Sequence, residues 1–294
     1  MGERGFEDWE ALPPLSPAAF EALRSDPRFR EACETAARAA ISHFARQDPA
    51  TRWLTKDLGR FSLHLAALIL AAEPEGLTVS ALAAAAKANG TCSRGRVLAF
   101  VDYALRAGFL GLPAGEMAWT QRRLVVHEGF RRYFLDRMRS DLTALAVVAP
   151  RTAAAADRVS EIPAFDAGLR FMGLLAQARG DLFKNPEVPV GFFLTRDGAF
   201  RILQYLLLQQ PPGRERLLET AQVDRSEIAR AAGVSRPHVN RVLHEAAVAG
   251  LIAWLTPRRI QFAPELSQDL ERHYAFSLQA LRLLALQIQA APAT

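Results

Sequence analysis

The chain has 294 residues, 50% of them hydrophobic, and a formal net charge of +5 at pH 7. This length predicts more than one domain, and the composition excludes extensive disorder. The longest apolar stretch, Leu65–Ala72, is far shorter than the roughly 20 residues that cross a bilayer, and the first residues show no signal-peptide pattern. We therefore expect a cytoplasmic, nucleoid-associated protein without a membrane partner.

Cysteine and histidine usage gives no sign of a metal site. Cys33 and Cys92 lie far apart without a CxxC motif or a neighbouring His pair, which predicts ordinary buried or partly buried thiols. His127, His244 and His273 lack ligand spacing with any other suitable side chain. With no nucleotide-binding loop, nucleophile elbow or paired acid–base motif in the sequence, we expect neither a cofactor nor an enzyme.

The positive charge is concentrated in two segments. Residues 78–124 contain six Lys or Arg and two acidic residues, a balance of 6 − 2 = +4. Residues 224–262 contain six Arg and three acidic residues, a balance of 6 − 3 = +3. The remainder is slightly acidic at 5 − 7 = −2, so two separate basic segments point to a polyanionic partner.

Helical periodicity begins near the amino terminus. Ser16 and Pro17 are typical of a helix start, and apolar spacing predicts helical structure over residues 19–44 and again over 60–69. A central apolar helix is predicted over residues 165–182. Trp53, Trp119 and Trp254 are expected to fill cores, since large aromatic side chains are usually buried.

From Leu77 the pattern is helix, turn, helix and hairpin, and the same pattern recurs in the carboxyl-terminal part. Pro186, with Pro189 and Gly191, marks the boundary before the recurrence. The predicted parts are residues 1–140 with the first module, a central helical connector over 141–192, and 193–294 with the second module and a last helix. The expected fold class is mainly α, with two winged helix-turn-helix modules in tandem, flanking long helices and small β-hairpin wings.

The second module carries the clearest motif, Ser235–Gly250. Either Asp224 or Ser226 is expected to cap a short helix that Gly233 ends, and Ser235 caps the next helix. Apolar side chains at i, i+3, i+4 and i+7 predict one buried stripe on this second helix. The polar side chains left outside can donate hydrogen bonds to base edges or phosphates, and they are Arg236, His238, Asn240, Arg241 and His244.

A wing is predicted after this helix. Short strands are expected at residues 252–254 and 259–262, joined by a turn near Thr256-Pro257, so that Arg258 and Arg259 meet backbone phosphates. In the first module Pro113–Glu116 is expected to form the turn, and Arg122 and Arg123 take the same role.

The first module repeats the second residue by residue, which predicts a tandem duplication with one expanded turn at residues 87–92. Its core residues Val97, Phe100, Val101, Ala104, Leu105 and Gly108 correspond to Val239, Val242, Leu243, Ala246, Ala247 and Gly250. Ser93 corresponds to Ser235 as a cap, and we expect both serines to contact DNA together with the outward-facing Arg94 and Arg96. Because Leu98 and Ala99 replace Asn240 and Arg241, we expect the first module to contribute phosphate contacts and the second to supply base specificity.

The motif Asp224-Arg225-Ser226-Glu227-Ile228-Ala229, followed by Gly233-Val234-Ser235-Arg236, resembles the helix-turn-helix of the Crp/Fnr regulators. The resemblance implies that Arg236 and Arg241 approach bases or phosphates. Pro237 stands where that family commonly has a base-reading Glu, so its DNA preference is not carried over. The arrangement of long helices around each winged unit is similar to a fused pair of MarR-type regulators, which implies an intramolecular pseudo-dimer.

Together these features predict a bacterial-type transcription regulator whose partner is double-stranded DNA. The sequence is compatible with either a homodimer or a pseudo-dimer, and with a contact to RNA polymerase. Two alternatives remain: a plasmid-type replication initiator, which also places two winged helices in one chain, and a chromosome-associated scaffold whose winged helices bind protein.

Overall fold

The computed structural model describes residues 17–88, 90, 92–115, 117–179, 188–211 and 213–292. Several predicted features lie outside these residues: the Ser16 cap, Asn89 and Thr91 of the expanded turn, Glu116 of the first hairpin and Pro186 of the boundary. The described residues divide into two compact units. Unit 1 comprises 17–46, 140–156 and 188–286, and unit 2 comprises 47–139, 157–179 and 287–292.

The described chain is mostly helical, with two small antiparallel sheets, which confirms the mainly α fold with β wings. In chain order its first elements are α1 (Pro17–Arg24), α2 (Phe29–Arg46), α3 (Pro49–Leu54), α4 (Leu58–Ala72), α5 (Val79–Ala88), α6 (Arg94–Arg106), β1 (Leu110–Gly111), β2 (Val125–Val126) and α7 (Glu128–Val148). They are followed by α8 (Ala153–Arg158), α9 (Ile162–Arg179), α10 (Pro189–Leu194), α11 (Ala199–Leu208), β3 (Thr220–Gln222), α12 (Arg225–Ala232), α13 (Arg236–Val248), β4 (Ile252–Thr256), β5 (Arg259–Phe262) and α14 (Pro264–Ala290).

Unit 1 holds its helix-turn-helix on a helical base. α11 packs against both α2 and α12, and α12 packs against α13. Arg201 on α11 donates from Nε to the carbonyl of Ala232 at 2.9 Å, and its guanidinium lies 3.8 Å from the ring centroid of Phe44 on α2. These contacts fix the end of α12 against the helices beneath it.

Unit 2 has an aromatic core around a buried histidine. His64 on α4 is fully buried and contacts the rings of Phe130, Tyr133 and Phe134 on α7. Its Nε2 lies 2.7 Å from the carbonyl oxygen of Phe130. Burial lowers the pKa of His64 to about 3, so the ring is neutral at physiological pH.

The tryptophans correct one prediction. Trp53 is half-buried and stacks on Tyr103 with ring centroids 3.8 Å apart, but Trp119 and Trp254 are 39% and 38% exposed. The expectation that these last two fill a core was wrong. Both lie in or beside a hairpin, where a small sheet covers only one face of its strands.

No helix in the described part of the chain is both long and apolar enough to span a membrane. Cys33 is buried and Cys92 is half-buried, and both are free thiols, as predicted.

Candidate nucleic-acid interface

The turn between α12 and α13 is formed by local signals. Asp224, rather than Ser226, caps α12, because its carboxylate accepts the backbone N–H groups of Ser226 and Glu227 at 2.8 and 3.0 Å. Gly233 ends α12 in the left-handed region at φ 67°. Ser235 then caps α13, its Oγ accepting the backbone N–H of His238 at 3.3 Å. The predicted turn chemistry is confirmed.

α13 buries one stripe and exposes the opposite face. Val239, Val242, Leu243 and Ala246 are buried, as the apolar spacing predicts. Of the predicted DNA-contacting side chains, the exposed ones are Ser235, Arg236, Asn240, Arg241 and His244. The exposed face therefore presents hydrogen-bond donors of the types that pair with guanine and adenine edges.

His238 differs from its neighbours on this helix because it is half-buried and both ring nitrogens have partners. Nε2 lies 2.7 Å from the carbonyl oxygen of Asp197, and Nδ1 lies 2.9 Å from Nη2 of Arg241. The ring thus faces the protein and a neighbouring arginine.

The wing following α13 is a three-stranded sheet in the order β3-β5-β4. β4 and β5 pair antiparallel, and the predicted hairpin is confirmed. Arg258 lies in the turn between the two strands, and Arg259 begins β5, where its Nη2 donates to Thr220 Oγ1 at 3.2 Å. No strong sequence pattern predicts β3, which has only three residues and pairs with β5 from far upstream.

Three arginines line a cavity of about 340 Å³ beside the start of α12. They are Arg225, Arg236 and Arg258, and Asp224 lies among them. Hydrogen bonds from the backbone N–H groups of Glu227 and Ser226 lower the pKa of Asp224, so its carboxylate offsets one of the three positive charges. The remaining positive charge suits an anionic group such as a phosphate. Sequence reasoning counted Arg225 in the basic segment but did not place it at the site.

The segment from α5 to β2, in unit 2, shares several local features with this arrangement, although its sheet has two strands rather than three. Ser93 caps α6 by accepting the backbone N–H of Arg96 at 3.4 Å. The strand pairs Leu110↔Val126 and Gly111↔Val125 lie at the positions that the repeat aligns with Ile252↔Phe262 and Ala253↔Gln261. The bond from His127 N–H to the Phe109 carbonyl likewise matches the one from Ala263 N–H to the Leu251 carbonyl, both at 3.0 Å.

The arginines of this first segment are engaged by the protein to different degrees. Arg94 is exposed, whereas the guanidinium of Arg96 forms an ion pair with Asp57. Arg122 is half-buried and donates from Nε to the Met117 carbonyl at 2.8 Å. Arg123 donates from Nη2 to the Pro74 carbonyl at 2.7 Å. Arg122 and Arg123 precede β2 at the end of a long loop, whereas Arg258 lies in a tight turn.

A bundle of short helices with a capped helix-turn-helix and a hairpin is the architecture of winged DNA-binding domains. Residues 200–263 match the family model for the Crp-like helix-turn-helix domain, which identifies this segment as DNA-binding and indicates a transcription regulator rather than an enzyme. No curated protein and no solved structure matches the chain.

Proposed function

We propose that the protein is a sequence-specific regulator of transcription that binds double-stranded DNA with α13 in the major groove. The observation that carries this proposal is the exposed donor face of α13 next to the cavity lined by three arginines. A recognition helix needs side chains that reach base edges, and neighbouring cations fix its position on the phosphate backbone.

The side chains divide into two roles under this proposal. Arg236, Asn240, Arg241 and His244 face base edges, with Arg suited to guanine and Asn to adenine. Ser235, Arg225, Arg258 and Arg259 lie at the start of the helices or on the wing, where the backbone of DNA passes.

We also propose that the α5–β2 segment is a second winged module with a weaker part in specificity. Leu98 and Ala99 on α6 offer no side-chain hydrogen bonds where α13 has Asn240 and Arg241. Ser93, Arg94, Arg122 and Arg123 would contact phosphates, and Arg96 would contribute less because Asp57 already neutralises its charge. The preferred DNA site is then an imperfect palindrome with one strongly specified half.

A chromosome-associated scaffold is the second candidate, and one feature of the first hairpin favours it. Leu112, Met117, Trp119 and Val125 are exposed apolar side chains in this region, which is a composition more typical of protein contacts than of phosphate contacts. A plasmid-type replication initiator is distinguished by its target, because its binding sites would be repeats at an origin rather than promoter operators.

Selection of bound sequences from a random duplex library, followed by affinity measurements over a series of salt concentrations, tests the main proposal. We expect Arg236→Ala and Arg241→Ala each to weaken binding to the selected site by about 1–3 kcal/mol. Arg258→Ala should weaken all duplexes alike and reduce the salt slope by about 1. Arg272→Ala is the matched control, since Arg272 is exposed and belongs to α14, which is part of neither the helix-turn-helix nor the wing.

The proposal is contradicted if the wild type selects no preferred sequence. It is also contradicted if Arg236→Ala and Arg241→Ala both remain folded and bind the selected site as tightly as the wild type does. The number of chains on each duplex must be measured in the same experiment. A homodimer that places two second modules on DNA would yield two equal half-sites, whereas a pseudo-dimer would yield unequal ones.

A further inference from the structure

One side of α13 is held by the residues between α10 and α11, and the first contact passes through His238. The carbonyl of Asp197 can only accept, so the His238 Nε2 at 2.7 Å carries the proton. The guanidinium of Arg241 can only donate, so His238 Nδ1, which lies 2.9 Å from Arg241 Nη2, accepts its N–H. The order of the contacts is Asp197 carbonyl, His238 ring, Arg241 guanidinium.

A second contact from the same loop reaches the other neighbour of Arg241. Arg196 donates from Nε to Glu245 Oε2 at 3.1 Å, and Glu245 Oε1 lies 3.9 Å from Arg241 Nε. Arg196 is itself fixed, because its Nη1 donates to the Phe192 carbonyl at 2.9 Å and its guanidinium lies 3.6 Å from the Phe192 ring centroid. Arg241 is therefore approached from two sides by side chains that the loop anchors.

The loop is packed tightly against the helix-turn-helix. Gly198 has φ 66°, and a Cβ at this position would come within 2.6 Å of Val234 Cγ1 in the turn before α13. Gly198 therefore lies directly against the turn before α13, and the neighbouring carbonyl of Asp197 lies within hydrogen-bond distance of His238 on that helix.

We propose that Arg196 and Asp197 position the guanidinium of Arg241 through Glu245 and His238, so that His238 sets base preference without contacting a base. This inference rests on the function proposed above. A long, exposed arginine loses rotamer freedom when it binds a base, which costs free energy of binding. Side chains that already hold the arginine in the binding geometry reduce this entropic cost. His238 and Glu245 are thus positioning residues, and Arg241 is the side chain that they direct.

The test compares base preferences selected from a random duplex library by the full chain and its variants. We expect Arg241→Ala to reduce discrimination at one base position by about 10- to 100-fold. His238→Ala and Glu245→Ala should each reduce discrimination at that same position by a smaller factor, about 3- to 10-fold, and leave the other positions unchanged. The double variant His238→Ala, Arg241→Ala should lose no more base discrimination than Arg241→Ala alone. Val248→Ala, an exposed change at the end of α13, is the matched control.

Three outcomes would overturn the proposal. The first is that His238→Ala has the same base preferences as the wild type. The second is that His238→Ala loses preference at a different base position, which would show that His238 contacts a base itself. The third is that the double variant loses as much discrimination as the two single variants added together. Nitrogen-15 spectra of the histidines without DNA give an independent measurement, with the signals of His238 assigned from His238→Ala. We expect an Nε2-protonated ring whose Nδ1 resonance shifts in Arg241→Ala, and an Nδ1-protonated ring would contradict the geometry.

These measurements also separate this inference from the proposed function. If the wild type selects no sequence, the proposed function fails and the inference fails with it. If the wild type selects a sequence and His238→Ala selects the same one with equal discrimination, the function stands and only the inference is wrong.

Discussion

Replacing Gly233 by alanine tests the packing under the helix-turn-helix. Gly233 has φ 67°, where a side chain is strained, and a Cβ there would lie 2.2 Å from Cε1 and 2.7 Å from Cζ of Phe44. Left-handed backbone costs a residue with a Cβ about 1–2 kcal/mol. Forcing a methyl group into a packed ring adds about 1–3 kcal/mol. We therefore expect Gly233→Ala to reduce the free energy of unfolding by about 2–5 kcal/mol.

Gly250→Ala is the matched control because Gly250 has φ 72° but no atom within 4 Å of its Cβ position. It carries only the backbone cost of about 1–2 kcal/mol. Urea unfolding followed by circular dichroism measures both variants. In a Phe44→Ala background the ring is absent, so Gly233→Ala should then cost about as much as Gly250→Ala. Equal losses for the two glycine variants in the wild-type background would refute the close approach of Gly233 to Phe44.

Two further predictions concern unit 2. The pKa of His64 is about 3 in the folded chain, so the unfolded state takes up the proton first as the pH falls below about 6.5, and stability is lost from there towards pH 3. At about 1.4 kcal/mol per pH unit, the loss in the free energy of unfolding reaches about 3 kcal/mol by pH 4. Urea unfolding of His64→Met should show a shallower pH dependence, and an unchanged one would exclude His64 as the cause. Asp57→Asn keeps the oxygen that accepts the Arg60 N–H but removes the negative charge that neutralises Arg96, so the salt slope of duplex binding should rise by about 0.9. An unchanged slope would mean that Arg96 contacts no phosphate.

The helix-turn-helix could be predicted from the sequence because its signals are local. Asp224, Gly233 and Ser235 act within four residues of their own positions, and the stripe on α13 follows from helical spacing alone. The hairpin of β4 and β5 was equally predictable, since a turn joins its strands directly.

The rest of the site depends on contacts between distant residues. β3 joins the sheet by pairing with residues about forty positions later, and Asp197 meets His238 across a similar separation. Arg196 and Asp197 belong to a loop whose sequence carries no pattern of its own. His238 was predicted to face outward because helical spacing places it on the polar side, and spacing cannot show that a loop covers that position.

The two segments that share one backbone pattern differ mainly in the partners of their arginines. On α13, the guanidinium of Arg241 contacts the ring of His238, and Arg236 lines an open cavity with two other arginines. On α6, Arg96 takes the position of His238 and pairs with Asp57, and Ala99 takes the position of Arg241. An arginine paired with a carboxylate must give up that partner before it can contact a phosphate, so it adds less to binding than an unpaired one. Under the proposed function, the α5–β2 segment is therefore the weaker of two modules, because Ala99 stands in the position of Arg241 and the charge of Arg96 is already neutralised.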